Sequence, residues 1–210
     1  MVVLSLILNI CIITYVTEII LLVMIREEKR IASESSKIQS GVNGKMIIFI
    51  NGSINSGKTT VAKELQTQIP KCAVVEIDAF HDFVPWMELN EVLPLNYKNA
   101  IDVIRNFAQA GLTVIVPYPL SKARFEELSA TLKEFGPIHA FTLNPNLEET
   151  LKNRGTRVLT NEEKERIRYH YQIGINNPGY GKVINNTNQT VKQTAGEILE
   201  AINMVDTNSR

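Results

Sequence analysis

Eight consecutive residues, Gly52-Ser53-Ile54-Asn55-Ser56-Gly57-Lys58-Thr59, carry the spacing G-x-x-x-x-G-K-T directly after an apolar run. Every fixed position in that pattern serves the holding of a polyanion. Gly52 and Gly57 permit backbone torsions and close approaches that a side chain blocks. The amide N–H groups from Gly52 through Ser53, Asn55, Ser56 and Gly57 to Thr60 can then converge on phosphate oxygens, and the start of the following helix adds a favourable dipole. Lys58 supplies a mobile positive charge for the outer phosphates. Thr59 offers a hydroxyl to Mg²⁺, which prefers oxygen ligands beside phosphate. The chemistry implied is nucleotide binding, with ATP and Mg²⁺ as the expected cofactors. Asn51-Gly52-Ser53 is also formally a glycosylation sequon, a match without meaning inside a phosphate-binding loop.

What happens to the phosphate depends on other residues. Asp78 follows the apolar run CAVVEI, at a strand end, where open parallel sheets gather their ligands. A carboxylate there accepts a proton from a substrate hydroxyl or holds Mg²⁺ through water; the alternative is a helix cap. Strand alternation directs Glu76 elsewhere, and His81 and Asp82 read as exposed. Arg154 and Arg157 flank Gly155 between two helices. Paired arginines in such a loop stabilise the charge spread over a transferring phosphoryl group, and a lid that carries them excludes water. Arg166 and Arg168 share the next helix with Glu162, Glu163 and Glu165, which reads as a solvated, salt-bridged face for at least one of them. Tyr118, Ser121 and Arg124 lie after the third strand as candidate substrate contacts. Residues 177–190 end in a strand and polar turn placed to brush the nucleotide base. No acid ends the third strand, which excludes the usual metal-binding acid of large mechanical ATPases.

The elements that must position these groups alternate. MIIFI (46–50), CAVVEI (72–77), TVIV (113–116), IHAFTL (138–143) and KVIN (182–185) read as five buried strands. Helical periods run from Lys58 to Gln68, from Ala100 to Ala108 with Gly111 as terminator, and from Ser121 to about Phe135. Cap-plus-acid or cap-plus-amide spacings at Asn146/Glu149, Thr160/Glu163 and Thr190/Gln193 start three more. Strands alternating with helices predict an α/β domain built on a parallel sheet.

Composition narrows the function classes. The 210 residues include 22 Lys+Arg and 22 Asp+Glu, so no basic field favours nucleic acid. Cys11 and Cys72 lack metal or disulfide spacing, which fits a reducing, cytoplasmic location. Residues 1–25 are apolar with a single charge, Glu18, and Arg26, Lys29 and Arg30 follow them. Two readings stand: a helix anchoring a cytoplasmic domain to the membrane, or a mis-called extension with translation beginning at Met46. Residues 26–45 read as a polar linker, 46–205 as the folded domain and 206–210 as a tail.

From Met46 onward the chain resembles the small P-loop phosphotransferases, such as chloramphenicol phosphotransferase, shikimate kinase and adenylylsulfate kinase. The likeness rests on GSINSGKT, EIDAF, RGTR and VINNTNQT. It implies a three-layer P-loop NTPase fold with a five-stranded parallel sheet. It also implies ATP and Mg²⁺ on Lys58 and Thr59, an acceptor-side acid at Asp78, and lid arginines at Arg154 and Arg157. The partners expected are a nucleotide and a small hydroxyl-bearing acceptor. Pro117-Tyr118-Pro119 stands where shikimate kinase has a Gly-rich acceptor loop, so the acceptor does not carry over. The competing reading is a nucleotide-binding regulatory module with no acceptor.

Overall fold

The computed structural model describes residues 45–153 and 158–208. From the amino end these form β1 (Ile47–Gly52), α1 (Lys58–Gln68), β2 (Cys72–Val74), a 3-10 helix (Ile77–Phe83), α2 (Leu89–Gln109) and β3 (Thr113–Pro117). There follow α3 (Lys122–Leu132) with a 3-10 turn at Lys133–Phe135, β4 (Ile138–Leu143), α4 (Leu147–Thr150), α5 (Asn161–Gln172), β5 (Lys182–Ile184) and α6 (Val191–Asn208). The strands pair in the order β2-β3-β1-β4-β5, all parallel. β1 is central, with Ile48 opposite Ile115 on one side and His139 on the other. All strands therefore end along one edge, and the loop leaving β1 rises where successive connections diverge to opposite sides. That crevice is where open α/β sheets bind ligands.

Strand β1 is apolar at every position because both its faces are covered. Ile48 and Ile50 pack with Val61 and Leu65 of α1 and Ile198 and Ile202 of α6. Ile47 and Phe49 pack on the opposite face, with Ala100 and Ile104 of α2 and Leu128 and Leu132 of α3. Side chains alternate across a strand, so a continuous apolar run marks a sheet sandwiched between helix layers. The five-stranded parallel sheet and its three-layer packing agree with the sequence reading.

Three local readings need correction. β2 stops at Val74, and its line continues only through the Val75 N–H bond to Ile115 O before the chain tightens into the 3-10 helix. Helix α2 starts at Leu89, well before Ala100. Pro94 lies inside its first turns, and Val92, Asn96, Ala100, Ile104 and Ala108 form one buried row at four-residue spacing. α6 runs through Asn208, into the residues read as a tail, since no Gly or Pro stops it there. The caps fare better. Ser121 accepts from Arg124 N at 3.3 Å, Thr160 and Glu163 form a reciprocal capping box, and Thr190 and Gln193 do the same with an amide. Asn146 precedes only one helical turn and makes no side-chain cap bond.

Among the described residues no helix is long and apolar enough to cross a membrane. The segment read as an anchor or extension, with its linker, lies outside the described residues, as do Arg154 and Arg157.

Candidate active site at the end of the central strand

The loop after β1 has the torsions its glycines were expected to allow. Gly52 sits at φ 140°, and a Cβ built there would lie 2.6 Å from both Leu143 O and Ser56 Oγ. Gly57, at φ 98°, is the N-cap of α1, and no side chain caps that helix. Its first-turn N–H groups are thereby left to a ligand. Two of the loop's carbonyls are occupied by side chains. Ser53 O accepts from Lys58 Nζ at 2.8 Å, and Ser56 O accepts from Asn186 Nδ2 at 3.0 Å.

Side chains from distant elements brace this loop. Asn51, fully buried at the end of β1, donates to Thr142 Oγ1 (3.1 Å) and to Ile175 O (2.8 Å), and its Oδ1 accepts from Leu120 N (2.7 Å). One carboxamide thus ties β1 to β4, to the turn after α5 and to the loop after β3. Asn55, in the left-handed region at φ 63°, donates to Thr150 O at 2.8 Å and Lys152 O at 2.9 Å. Ser53 Oγ lies 3.3 Å from Nδ1 of the buried His170 on α5. Burial, with Arg166 and Lys58 nearby, pushes the His170 pKa down to about 4, so the ring is neutral at physiological pH.

Above the loop opens a cleft of about 670 Å³. Lys58, Thr59 and Asp78, which the sequence singled out, share it with Asn55, Ser56, Gly57 and Thr60. Gly52 and Ser53 lie buried beneath it. Glu76 also lines the cleft, against the expectation from strand alternation. Alternation lapses because β2 has already ended, and Glu76 is the residue from which the 3-10 helix starts. Asn186, Thr187 and Gln189 close the far wall, within the segment expected near the base. Asp78 stands in the first turn of the 3-10 helix and is open to solvent. Surrounding protein still withdraws enough water to raise its pKa above the ordinary value, against the opposing pull of Lys58, Arg166 and His81.

Several flanking candidates make contacts within the fold. The Tyr118 phenol is buried, edge-on to Tyr97 with ring centres 5.7 Å apart, and burial, together with Tyr97 and the charge of Asp78, holds its pKa far up. Arg124 lies over the Tyr97 ring at 4.3 Å and pairs with Glu127 at 2.6 Å, while Ser121 caps α3. His81 Nε2 lies 3.2 Å from Met87 O, closing a turn, and Asp82 is exposed. On α5, Arg168 pairs with Glu165 at 2.6 Å, as a solvated helix face does. His170 and Arg166 were not singled out for the site. Their signal was the four-residue spacing that puts both on one face of α5.

Oxygen donors dominate the space beside Lys58. The Thr59 hydroxyl and the carboxylates of Glu76 and Asp78 suit a hard cation such as Mg²⁺, which keeps several waters and takes one or two carboxylates beside phosphate. No group of three or more metal-binding His, Cys, Asp or Glu side chains occurs among the described residues.

Comparison with known proteins agrees with this arrangement. No curated protein matches the chain. Among solved structures, the tunicamycin resistance protein of Deinococcus radiodurans superposes with a TM-score of 0.55 at 24% identity, covering 75% of this chain and 95% of that one. Thymidylate kinase from Candida albicans gives 0.53 at 15%, covering 79% and 93%. The APS kinase CysC of Mycobacterium tuberculosis gives 0.52 at 15%, covering 77% and 99%. These likenesses show the fold alone, one that this chain shares with those proteins. The family model described as "Chloramphenicol phosphotransferase-like protein" matches residues 45–203, nearly all of the described fold, and the chain belongs to that family.

Proposed function

We propose that this protein is an ATP-dependent phosphotransferase acting on a small hydroxyl-bearing acceptor. The observation that carries the reading is that Asp78 and the uncapped start of α1 face one cleft, with Lys58 between the loop and the acid's field. The triphosphate lies along the N–H groups of residues 52–60. Lys58 leaves Ser53 O for the outer phosphates. The acceptor hydroxyl oxygen forms a bond to the γ-phosphorus as the bond from that phosphorus to the β–γ bridging oxygen breaks. The hydroxyl proton passes to Asp78, and the electron pair of the broken bond departs with ADP. Mg²⁺, held by Thr59 with Asp78 and Glu76 reaching it through water, would neutralise phosphate charge. Support for nucleotide use comes from the neighbours: one is a thymidylate kinase, and the APS kinase holds AMPPNP and APS.

Calorimetry of the full chain with MgATP tests the binding half. The transfer half is tested by thermal-shift screening of hydroxyl compounds in the presence of MgAMP-PNP, since an acceptor bound only beside nucleotide raises the melting temperature further. Hits are then assayed for phosphate transfer. Absence of heat with any Mg-purine nucleotide refutes the reading.

A further inference from the structure

The strand order β2-β3-β1-β4-β5 puts the phosphate loop at the middle of the sheet, Asp78 beyond one edge strand and the turn after β5 beyond the other. A nucleotide held by its phosphates on the loop, with its outer phosphate toward Asp78, therefore turns its nucleoside to the β5 side. Asn186, Thr187, Gln189, Val191 and Thr194 line the cleft there. Val191 is 37% exposed and offers an apolar face to a base. Two of the polar side chains are turned elsewhere. Asn186 Nδ2 donates to Ser56 O, and the Thr187 hydroxyl donates to Asn185 Oδ1 and accepts from Asn146 N. Gln189 differs, because its carboxamide is held at both ends by α6. Nε2 donates to Glu197 Oε2 at 2.9 Å, and Oε1 accepts from Thr194 Oγ1 at 2.9 Å. Lys182 Nζ, on β5, holds the other Glu197 oxygen at 2.9 Å. The hydrogen bonds from Gln189 and Lys182 keep the Glu197 pKa below its ordinary value. An ionised carboxylate only accepts, so turning the Gln189 carboxamide over would set Oε1 against Glu197. Thr194 lines the cleft and Glu197 does not, so the carbonyl end of Gln189 is the one on the cleft side. A carbonyl oxygen has two lone pairs, and Thr194 uses one of them.

We infer that Gln189 selects adenine over guanine nucleotides, its Oε1 accepting from the 6-amino group of the base while Glu197 and Lys182 keep the carboxamide from turning over. This rests on the phosphotransferase reading above and adds to it the choice of phosphoryl donor. Guanine carries a carbonyl oxygen at the same position, so two acceptors then face each other with no hydrogen between them. A loosely held carboxamide escapes that conflict by flipping to present its N–H groups, and so takes either base. Here the flip exchanges one conflict for another, since it strips Glu197 of a donor. Gln189 touches the nucleotide; Glu197 and Lys182 act through it as positioning residues.

Titration calorimetry of the full chain with MgAMP-PNP and MgGMP-PNP tests this. Wild-type protein is expected to bind AMP-PNP roughly tenfold or more tightly than GMP-PNP. Gln189→Ala removes the acceptor, so the two affinities come within about threefold of each other, chiefly through weaker AMP-PNP binding. Glu197→Gln keeps the shape but supplies an amide that both donates and accepts, which frees Gln189 to turn. GMP-PNP binding then tightens severalfold while AMP-PNP binding holds within about twofold. A role in shaping the wall alone moves both probes together, and the ratio taken within one protein cancels such a loss. Three results overturn the inference while leaving the phosphotransferase reading intact. They are wild-type protein that binds the two probes equally, wild-type protein that prefers GMP-PNP, and a ratio that either variant leaves unchanged. Wild-type protein that binds neither probe removes both the inference and the reading on which it rests.

Discussion

Replacing Asn51 by Ala should unfold the site before it touches any ligand. The carboxamide makes three buried bonds, to Thr142 Oγ1, Ile175 O and Leu120 N. The Thr142 hydroxyl can rotate toward another acceptor, but the other two groups are backbone and cannot. Leu120 is fully buried and Ile175 is 6% exposed, so water does not replace the lost partner. A stranded buried donor or acceptor costs roughly 1–3 kcal/mol, giving roughly 2–6 kcal/mol for the pair. That is a large share of the ~5–15 kcal/mol by which domains are stable. Urea unfolding followed by circular dichroism measures it: at a slope of roughly 1–3 kcal/mol/M the midpoint should fall by on the order of 1–3 M. Thr142→Val removes one of the three bonds and should cost only about 1 kcal/mol. Asn51→Asp keeps an acceptor for Leu120 N but sets a second oxygen against Ile175 O, so it should resemble the alanine variant. If Asn51→Ala loses less than ~1 kcal/mol at an unchanged slope, the carboxamide is not the clamp described here.

Three further outcomes follow from the same geometry. Asp78→Asn should leave MgATP affinity within about threefold while transfer to an acceptor falls by roughly a thousandfold or more, measured with labelled ATP. The raised pKa of Asp78 also means that folding favours its protonated form. Stability from this group is therefore present below its ordinary pKa and lost as pH rises through the folded value, so Asp78→Asn should melt slightly higher than wild type at pH 7. His170 has the opposite sign. Its pKa falls from 6.5 to about 4, so the stability it confers is full above 6.5 and lost as pH falls toward 4. The loss is on the order of 3 kcal/mol and should be absent from the pH dependence of urea midpoints in His170→Asn. Gly52→Ala forces a Cβ to within 2.6 Å of Leu143 O at φ 140°, and should cost roughly 1–3 kcal/mol in melting experiments as well as nucleotide binding.

The order of elements was legible because each signal was local. Four of the caps and terminators sit within three residues of what they end, and β1 declares its two covered faces by being apolar throughout. The phosphate loop was legible for the same reason, with Lys58 and Thr59 fixed by spacing alone. What the sequence hid is non-local. Asn51 finds its partners 69, 91 and 124 residues away, and nothing in its neighbours announces them. Glu76 was misplaced because strand alternation was carried past Val74, where the strand had ended. Arg166 read as part of an ordinary charged helix and His170 drew no reading, because only the tertiary fold brings His170 to Ser53.

The non-local bonds share a logic with the binding site. A nest of N–H groups attracts an anion only while its own carbonyls do not compete for those hydrogens. Here two of the carbonyls are drawn off by side chains: Lys58, from the loop's own end, on Ser53 O and Asn186, from outside it, on Ser56 O. Asn55 works outward instead, spending its carboxamide on Thr150 O and Lys152 O and so holding a left-handed residue in place. The loop is thereby shaped before a phosphate arrives, and the ordering cost falls on folding and not on binding. Lys58 differs from the asparagines in having a second task. Its hold on Ser53 O must be given up to the nucleotide, so Lys58→Met should weaken triphosphate binding far more than it weakens the fold. Asn186→Ala should do the reverse in proportion, loosening the loop and lowering the unfolding free energy in urea by roughly 1 kcal/mol while the cation at the phosphates stays in place. Comparing the two variants by calorimetry and urea titration separates a lysine that binds from an asparagine that shapes. Equal losses in both assays for both variants would show that the loop is ordered by its ligand and not by the fold.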